Sequence, residues 1–315
     1  MANLLMTVED MQDRDKWLKA REAGIGGSDA AAIVGLTPWK SAFQLWLEKT
    51  GQAEPEDLSD NERVYWGTQL EEVVAREFTK RTGKVVRRRG LLQSEEYPFL
   101  LASVDRIVVG EDAGLECKTA NGFAAKAWEN DEIPDAYYCQ CQHYMMVTGC
   151  KRWYIAVLIG GNKFVWKAID RNDDDIKALQ AAEIAFWGKV QKKEMPPVDG
   201  SGSCTEALSN MYRGGKEEAI QLPSQAADVI QEIDTLTETE KGIKATLDEK
   251  KNVLRSLLGD FEVGYAGQGD NVRKVTWKSQ EGRTTIDSKR LKAEQPGIYE
   301  KYAKQGKAMR VLRIA

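Results

Sequence analysis

Three charged side chains in FLLASVDRIVVGEDAGLECKTA (residues 99–120) stand where they could do chemistry together: Asp105, Glu116 and Lys118. The segment reads as two β-rich runs joined by Gly-Glu-Asp-Ala-Gly, which predicts a hairpin with Asp105 in its first strand. Glu116 and Lys118 are two apart on the second strand, so both emerge on one face while Cys117 points to the other, into apolar packing. Two carboxylates on adjacent strands make an oxygen-rich site for a hard divalent cation, and a neighbouring ammonium can orient or deprotonate a water beside it. Such a site hydrolyses phosphodiesters. An exposed strand pair with a Glu–Lys ion pair satisfies the same spacing, so the pattern alone leaves both readings open.

Other segments add candidates. WGTQLEEVVAREFTKRTG (66–83) predicts an amphipathic helix bounded by Gly67 and Gly83, with Leu70, Val74 and Phe78 in its apolar stripe. Glu71 borders that stripe and is directed toward the sheet as a third acid, the alternative being a surface Glu paired with a cation, whereas Glu72 faces Ala75 and Arg76. In REAGIGGSDAAAIVGLTPWK (21–40), glycines precede Ser28 and an Ala-rich helix follows, so Ser28 is expected as its N-cap. Free N–H groups, the positive end of the helix dipole and Arg21 form an anion pocket suited to a terminal phosphate, although simple capping explains the same residues. No Gly-Lys-Ser/Thr follows, which excludes a Walker loop. AYYCQCQHYMMVTG (136–149) predicts a helix ending at Gly149, followed by the hairpin RWYIAVLI–GGN–KFVWKAI. Gln140 on that helix either donates to a phosphate or is a satisfied core amide. His143 lacks a partner at ligand spacing and is read as structural or substrate-facing, and Cys139 and Cys141 as packing residues.

These residues need a scaffold, and 315 residues with 42% hydrophobic and 30% charged content supply one or two folded domains, excluding a disordered or fibrous chain. A single histidine excludes His-ligated zinc hydrolysis, and five irregularly spaced cysteines exclude a disulfide framework. No apolar run is long enough to cross a bilayer, and the acidic start MANLLMTVEDMQDRDK is unlike a signal peptide, so the expected location is the cytoplasm. Net charge is −4, yet residues 271–315 hold twelve Lys/Arg against four Asp/Glu, leaving −12 for residues 1–270. A basic tail on an acidic body fits a polyanion gripped locally, with Arg87-Arg88-Arg89 as a second basic spot.

Residues 1–200 alternate helical and strand patterns as an α/β or α+β core, and MPPVDGSGSCTEAL opens an expected linker over 201–223. Over 224–260 apolar residues recur at heptad spacing: Ala226, Ile233, Leu247 and Leu254 in one register, Val229, Leu236, Ile243 and Leu257 in the other. Glu240 and Lys250 interrupt the seam and Gly242 weakens its middle, which points to a long helix packed on the body or in a helical hairpin. Residues 261–315 read as a basic extension: a hairpin around AGQGDN, then a helix capped by Asp287.

Taken in order, RE..GIGGSDAAAIVGLTPWKS, GTQLEEVVAREF, ASVDRIV…LECK and AYYCQCQHYMMVTG resemble the YqaJ-type viral recombinase family, phage exonucleases related to lambda exonuclease in the PD-(D/E)XK nuclease superfamily. The resemblance covers roughly residues 14–190. It implies a restriction-endonuclease-like core, a mixed central sheet flanked by helices, with a helical and small β extension. It also implies that Asp105, Glu116, Glu71 and the Cys117 backbone carbonyl hold Mg²⁺, or Mn²⁺ in its place, and that Lys118 assists the attacking water. Arg21, Ser28 and Gln140 match the pocket for a 5′-phosphate. Val104 stands where the superfamily name has proline, at a position that holds no ligand. The implied activity is 5′-to-3′ digestion of linear double-stranded DNA, by a homotrimer ring, leaving 3′ strands for a single-strand annealing protein in a phage- or prophage-bearing bacterial host. A structure-specific endonuclease or resolvase on the same core, and an inactive DNA-end-binding scaffold, remain the alternatives.

Overall fold

Period-two apolar runs alternate with 3.6-period stretches, and the computed structural model, which describes residues 2–55, 57, 58, 60–306 and 310–314, forms strands and helices from them. Strand β1 (Ala2–Met6), helix α1 (Arg14–Glu22), strand β2 (Ile25–Gly26) and helices α2 (Gly27–Ile33), α3 (Ala42–Lys49) and α4 (Glu62–Thr82) come first. Strands β3 (Val86–Arg87), β4 (Leu91–Ser94), β5 (Leu100–Ser103), β6 (Arg106–Val108) and β7 (Ala113–Ala120) follow. Helix α5 (Asp135–Thr148), strands β8 (Arg152–Ile159) and β9 (Lys163–Asp170), and helices α6 (Asp173–Lys192) and α7 (Gly202–Met211) complete a first unit, Met1–Arg213.

Its main sheet runs β3-β6-β7-β8-β9, so β7 is central. The β7–β8 pairing is parallel, with Glu116 beside Ile155, and the β6–β7 and β8–β9 pairings are antiparallel. Trp153 and Tyr154 are adjacent on β8 and face opposite layers, as strand pleating requires. Trp153 packs on Tyr144 of α5 with ring centroids 5.2 Å apart, and Tyr154 packs on Phe78 of α4 at 5.3 Å. The sheet is therefore covered by α4 on one face and α5 on the other. Gly114 on β7 sits against the Trp153 ring, where a Cβ would approach a ring carbon to 2.3 Å. A second sheet, β1-β4-β5-β2, pairs β5 with β2 in parallel and with β4 antiparallel.

Several expectations change here. The first half of the predicted hairpin is split: β5 joins the second sheet and β6 the main one, so Asp105 lies at the bend between them, outside either strand. The bend holds because the Asp105 carboxylate accepts the Cys117 N–H at 2.7 Å, in place of a backbone partner. Helix α4 starts at Glu62 rather than Gly67, because Asn61 Oδ1 accepts the Arg63 and Val64 N–H groups. The α2 N-cap is Gly26, and Ser28 lies inside the first turn; the cap's own N–H is satisfied by Asp29 Oδ2 at 3.1 Å. The expected 201–223 linker contains α7, whose Cys204 and Ala207 are fully buried and whose Ser203 Oγ accepts the Ser41 N–H at 3.0 Å. The first unit thus runs beyond residue 200 to Arg213.

The second unit, Gly214–Ala315, contains helix α8 (Gln225–Leu258), the hairpin β10 (Val263–Ala266) and β11 (Arg273–Thr276), and helices α9 (Ser288–Glu294) and α10 (Pro296–Tyr302). Asp287 caps α9 by accepting the Arg290 N–H at 3.0 Å. Lys307, one of the basic residues of the extension, lies outside the described residues. Within this unit the expected helical hairpin does not form among the described residues: the heptad seam of the 34-residue α8 is exposed, with Leu236 67% and Leu257 78% accessible. The seven-residue α9 and α10 are too short to cover such a seam. Among the described residues no helix is long and apolar enough to cross a membrane.

Candidate active site

Because β7 is central, its alternate residues divide between the two layers. Cys117 packs with the Val74, Ala75 and Phe78 cluster of α4, while Glu116 meets α5. Gln140 Nε2 donates to Glu116 Oε1 at 2.9 Å and to Tyr144 Oη at 2.8 Å, and the Lys118 ammonium is paired with the same Oε1. Lys118 Nζ lies 5.0 Å over the Tyr137 ring. Asp105, Glu116, Lys118, Glu71, Gly67 and Thr68 line one cleft of about 260 Å³.

The electrostatics of this cleft are unbalanced. Burial, and then the negative charges of Glu116 and Glu71, push the Asp105 carboxyl well above the usual range, against the pull of Lys118 and the Cys117 N–H. Burial acts to lower the Lys118 pKa, but Glu116 and Asp105 more than offset it and hold the ammonium above its ordinary value. The Cys117 thiol is raised by burial and by the same carboxylates, so no thiolate nucleophile is available there. Glu116 Oε2 is buried and has no hydrogen-bond partner among the described residues. A buried carboxylate oxygen without a partner among the described residues, beside a second carboxyl crowded by negative charge, suits a divalent cation, so these residues fit the metal that the sequence resemblance implies.

Glu71 is in the cleft but is turned away. Its carboxylate accepts from Arg106 Nη1, and Arg106 Nη2 reaches Glu72 at 2.9 Å. Accordingly, among the described residues no three acidic, Cys or His side chains converge as a ready cation cage. Sequence reasoning missed Arg106, although a signal existed: it stands in the apolar run Val-Asp-Arg-Ile-Val-Val and is buried there, and a buried Arg requires an acid partner.

The second half of the site is the start of α2. Arg21 Nη2 donates to Ser28 Oγ at 2.6 Å, with Ser28 exposed and the guanidinium 5.1 Å over the Trp17 ring. Asp29, also missed, lies behind them and is paired with Lys49 at 3.0 Å and Arg21 at 3.6 Å. Burial tends to raise the Asp29 pKa, but Lys49, Arg21 and the Gly26 N–H outweigh it and hold the carboxyl below its ordinary value. Arg21 and Lys49 thus set two basic side chains against one carboxylate at the start of α2. The capping position in Gly-Gly-Ser-Asp could have disclosed Asp29; nothing local could have disclosed Lys49.

Gln140 joins the halves. Its amide is bonded to Glu116, and its Cγ lies where a Cβ on Gly27 would approach to 3.1 Å, while the Tyr144 ring would be met at 2.5 Å. Gly27→Ala should therefore force α2 away from α5, with a loss of about 1–3 kcal/mol of stability measured by denaturant titration. Wild-type stability in that variant would show that the contact is slack. His143, by contrast, is buried and committed to the core, bonded to Glu183 Oε1 and to the Leu101 carbonyl, each at 2.8 Å.

The geometry can be set beside known proteins. The YqaJ-like viral recombinase domain family matches residues 16–151, a span holding every candidate residue named above for the cleft and the anion pocket. The crystal structure of an alkaline exonuclease (LHK-Exo) from Laribacter hongkongensis superposes with a TM-score of 0.50 at 18% identity, over 57% of this chain and 94% of that one. That likeness is one of fold, the mixed α/β PD-(D/E)XK type. The uncharacterized protein YqaJ of Bacillus subtilis (strain 168) is 43% identical over 297 residues, 93% of this chain and 91% of the relative. With a relative matched along nearly its whole length, and with the family's domain laid over the cleft and the Arg21–Ser28 pair, this chain belongs to the YqaJ-like viral recombinase family.

Proposed function

We propose that the chain is a Mg²⁺-dependent exonuclease that digests linear duplex DNA from 5′-phosphorylated ends and leaves 3′ single strands for strand-annealing recombination. The observation that carries this reading is the unpartnered, buried Glu116 Oε2 beside Asp105, joined through Gln140 to the cationic Arg21–Ser28 pocket. The fold shared with an alkaline exonuclease and the family's recombinase domain support it. Asp105, Glu116 and the Cys117 carbonyl would hold the cation, with Glu71 joining them only on leaving Arg106. When bound, Mg²⁺, or Mn²⁺ in its place, supplies Lewis-acid stabilisation of charge on the attacked phosphodiester. Lys118 orients the attacking water and, kept cationic by its neighbours, steadies negative charge on the attacked phosphate. Arg21 and the Ser28 hydroxyl hold the terminal 5′-phosphate, and their position relative to Glu116 sets where the cut falls. A ring of three subunits around DNA and delivery of the product strand to a single-strand annealing protein complete the proposal.

Purified chain with Mg²⁺ should release 5′ mononucleotides from linear duplex and leave a closed circle intact. A 5′-phosphate duplex should be degraded about tenfold or more faster than its 5′-hydroxyl counterpart, and Arg21→Ala should abolish that difference. Nicking of the circle, or equal rates on both ends, would reject the end-directed reading.

A further inference from the structure

We propose that α8 pairs antiparallel with α8 of a second copy of this chain. Its heptad places Ile233, Glu240, Leu247 and Leu254 in one register and Leu236, Ile243, Lys250 and Leu257 in the other. The six apolar members are between 36% and 78% exposed. Such a stripe on one long helix calls for a partner helix of similar length.

The two charged members choose the partner and its direction. When one of two helices is reversed, each residue of one register faces a residue of the other. In the alignment centred on Ala245, Ile233 faces the partner's Leu257, Leu236 faces the partner's Leu254, and Ile243 faces the partner's Leu247. Glu240 then faces the partner's Lys250, once on each side of the two-fold axis. The residues that break the apolar seam of one helix are thus complementary across two. A parallel in-register pair would instead oppose Glu240 to the partner's Glu240 and Lys250 to the partner's Lys250. Slipping the antiparallel alignment by one heptad either way would place both charges against apolar side chains, so the pair also sets the register.

The remaining features agree. The paired stretch, 233–257, is about 37 Å long at 1.5 Å per residue. Gly242 lies outside both registers, so it weakens the helix without breaking the seam. Lys250 Nζ is bonded to its exposed neighbour Glu249 at 2.7 Å, a surface pair readily exchanged for one across the interface. Lys244 meets the partner's Lys244 at the rim, where solvent screens the like charges. The self-complementary contact has two-fold symmetry, so each α8 of a three-subunit ring would pair with one from a second ring.

Sedimentation of the full chain over a concentration series tests the pairing. E240K or K250E alone should weaken it roughly tenfold or more, and the exchanged variant E240K/K250E should restore it. Because the sites are exposed, folding should be preserved, as checked by circular dichroism. In E240C/K250C, oxidation should give a dimer linked between positions 240 and 250 of different chains. Within one helix those positions are about 15 Å apart, too far for an internal bridge. Association insensitive to these charges, no association, binding only to a different protein, or a 240-to-240 link in E240C would each overturn the proposal. If the first unit forms a ring by itself, the charge dependence still reports on α8.

Discussion

Glu116→Gln should lower Mg²⁺-dependent cleavage of linear duplex by about 10³-fold or more, while the chain remains folded. The substitution preserves side-chain size, and its amide oxygen can still accept from Lys118 and Gln140, so the buried surroundings stay packed. What it removes is the negative charge and the buried acceptor Oε2, which no group among the described residues satisfies. Asp105 should respond in the opposite sense: with the Glu116 charge gone, one cause of its raised pKa disappears and it ionises more readily. Calorimetry with Mn²⁺ separates the two effects. Loss of cation binding together with loss of cleavage supports the assignment, whereas wild-type cleavage in Glu116→Gln would remove Glu116 from the mechanism.

The second large effect is on stability. His143 and Glu183 are both fully buried, and Nε2 must carry a proton to donate to the Leu101 carbonyl. His143→Leu leaves the Glu183 carboxylate buried without its partner and should cost about 3–5 kcal/mol, measured by denaturant titration, whereas His143→Leu with Glu183→Leu should recover much of the loss. Burial lowers the His143 pKa, but Glu183 and the Leu101 carbonyl outweigh it, so its folded value lies above that of the unfolded chain. The imidazolium therefore adds stability that is complete below about pH 6.5 and is lost as pH rises through the folded value. The wild-type chain should lose stability over that rise more than the double-leucine variant does. A parallel pH profile for the two would show that the pair is not the source.

Much of the local structure is readable without coordinates because it depends on near neighbours. Gly149 ends α5 with φ of 78°, a conformation that glycine adopts without a Cβ penalty. The β8–β9 hairpin follows from two apolar runs around Gly-Gly-Asn, and Asp287 caps α9 three residues from the N–H it accepts. The spacing of Glu116 and Lys118 likewise places them on one face of a strand before any partner is known. The Asp105 bend was not legible in this way, since it depends on a Cys117 N–H twelve residues on and on the capture of β5 by a different sheet.

By itself, then, the sequence determined the types of chemistry available: a glutamate and a lysine on one face of a strand with an aspartate in the run before it, a glycine-rich helix start near an arginine, and a long helix with a heptad seam. Tertiary structure decided which of these groups meet. Arg106 holds Glu71 across 35 residues, Gln140 binds Glu116 across 24, and Lys49 sits on Asp29 behind Arg21. Each is a buried charge or amide that must find a partner, and packing makes that partner one distant in the chain, so spacing could not reveal it.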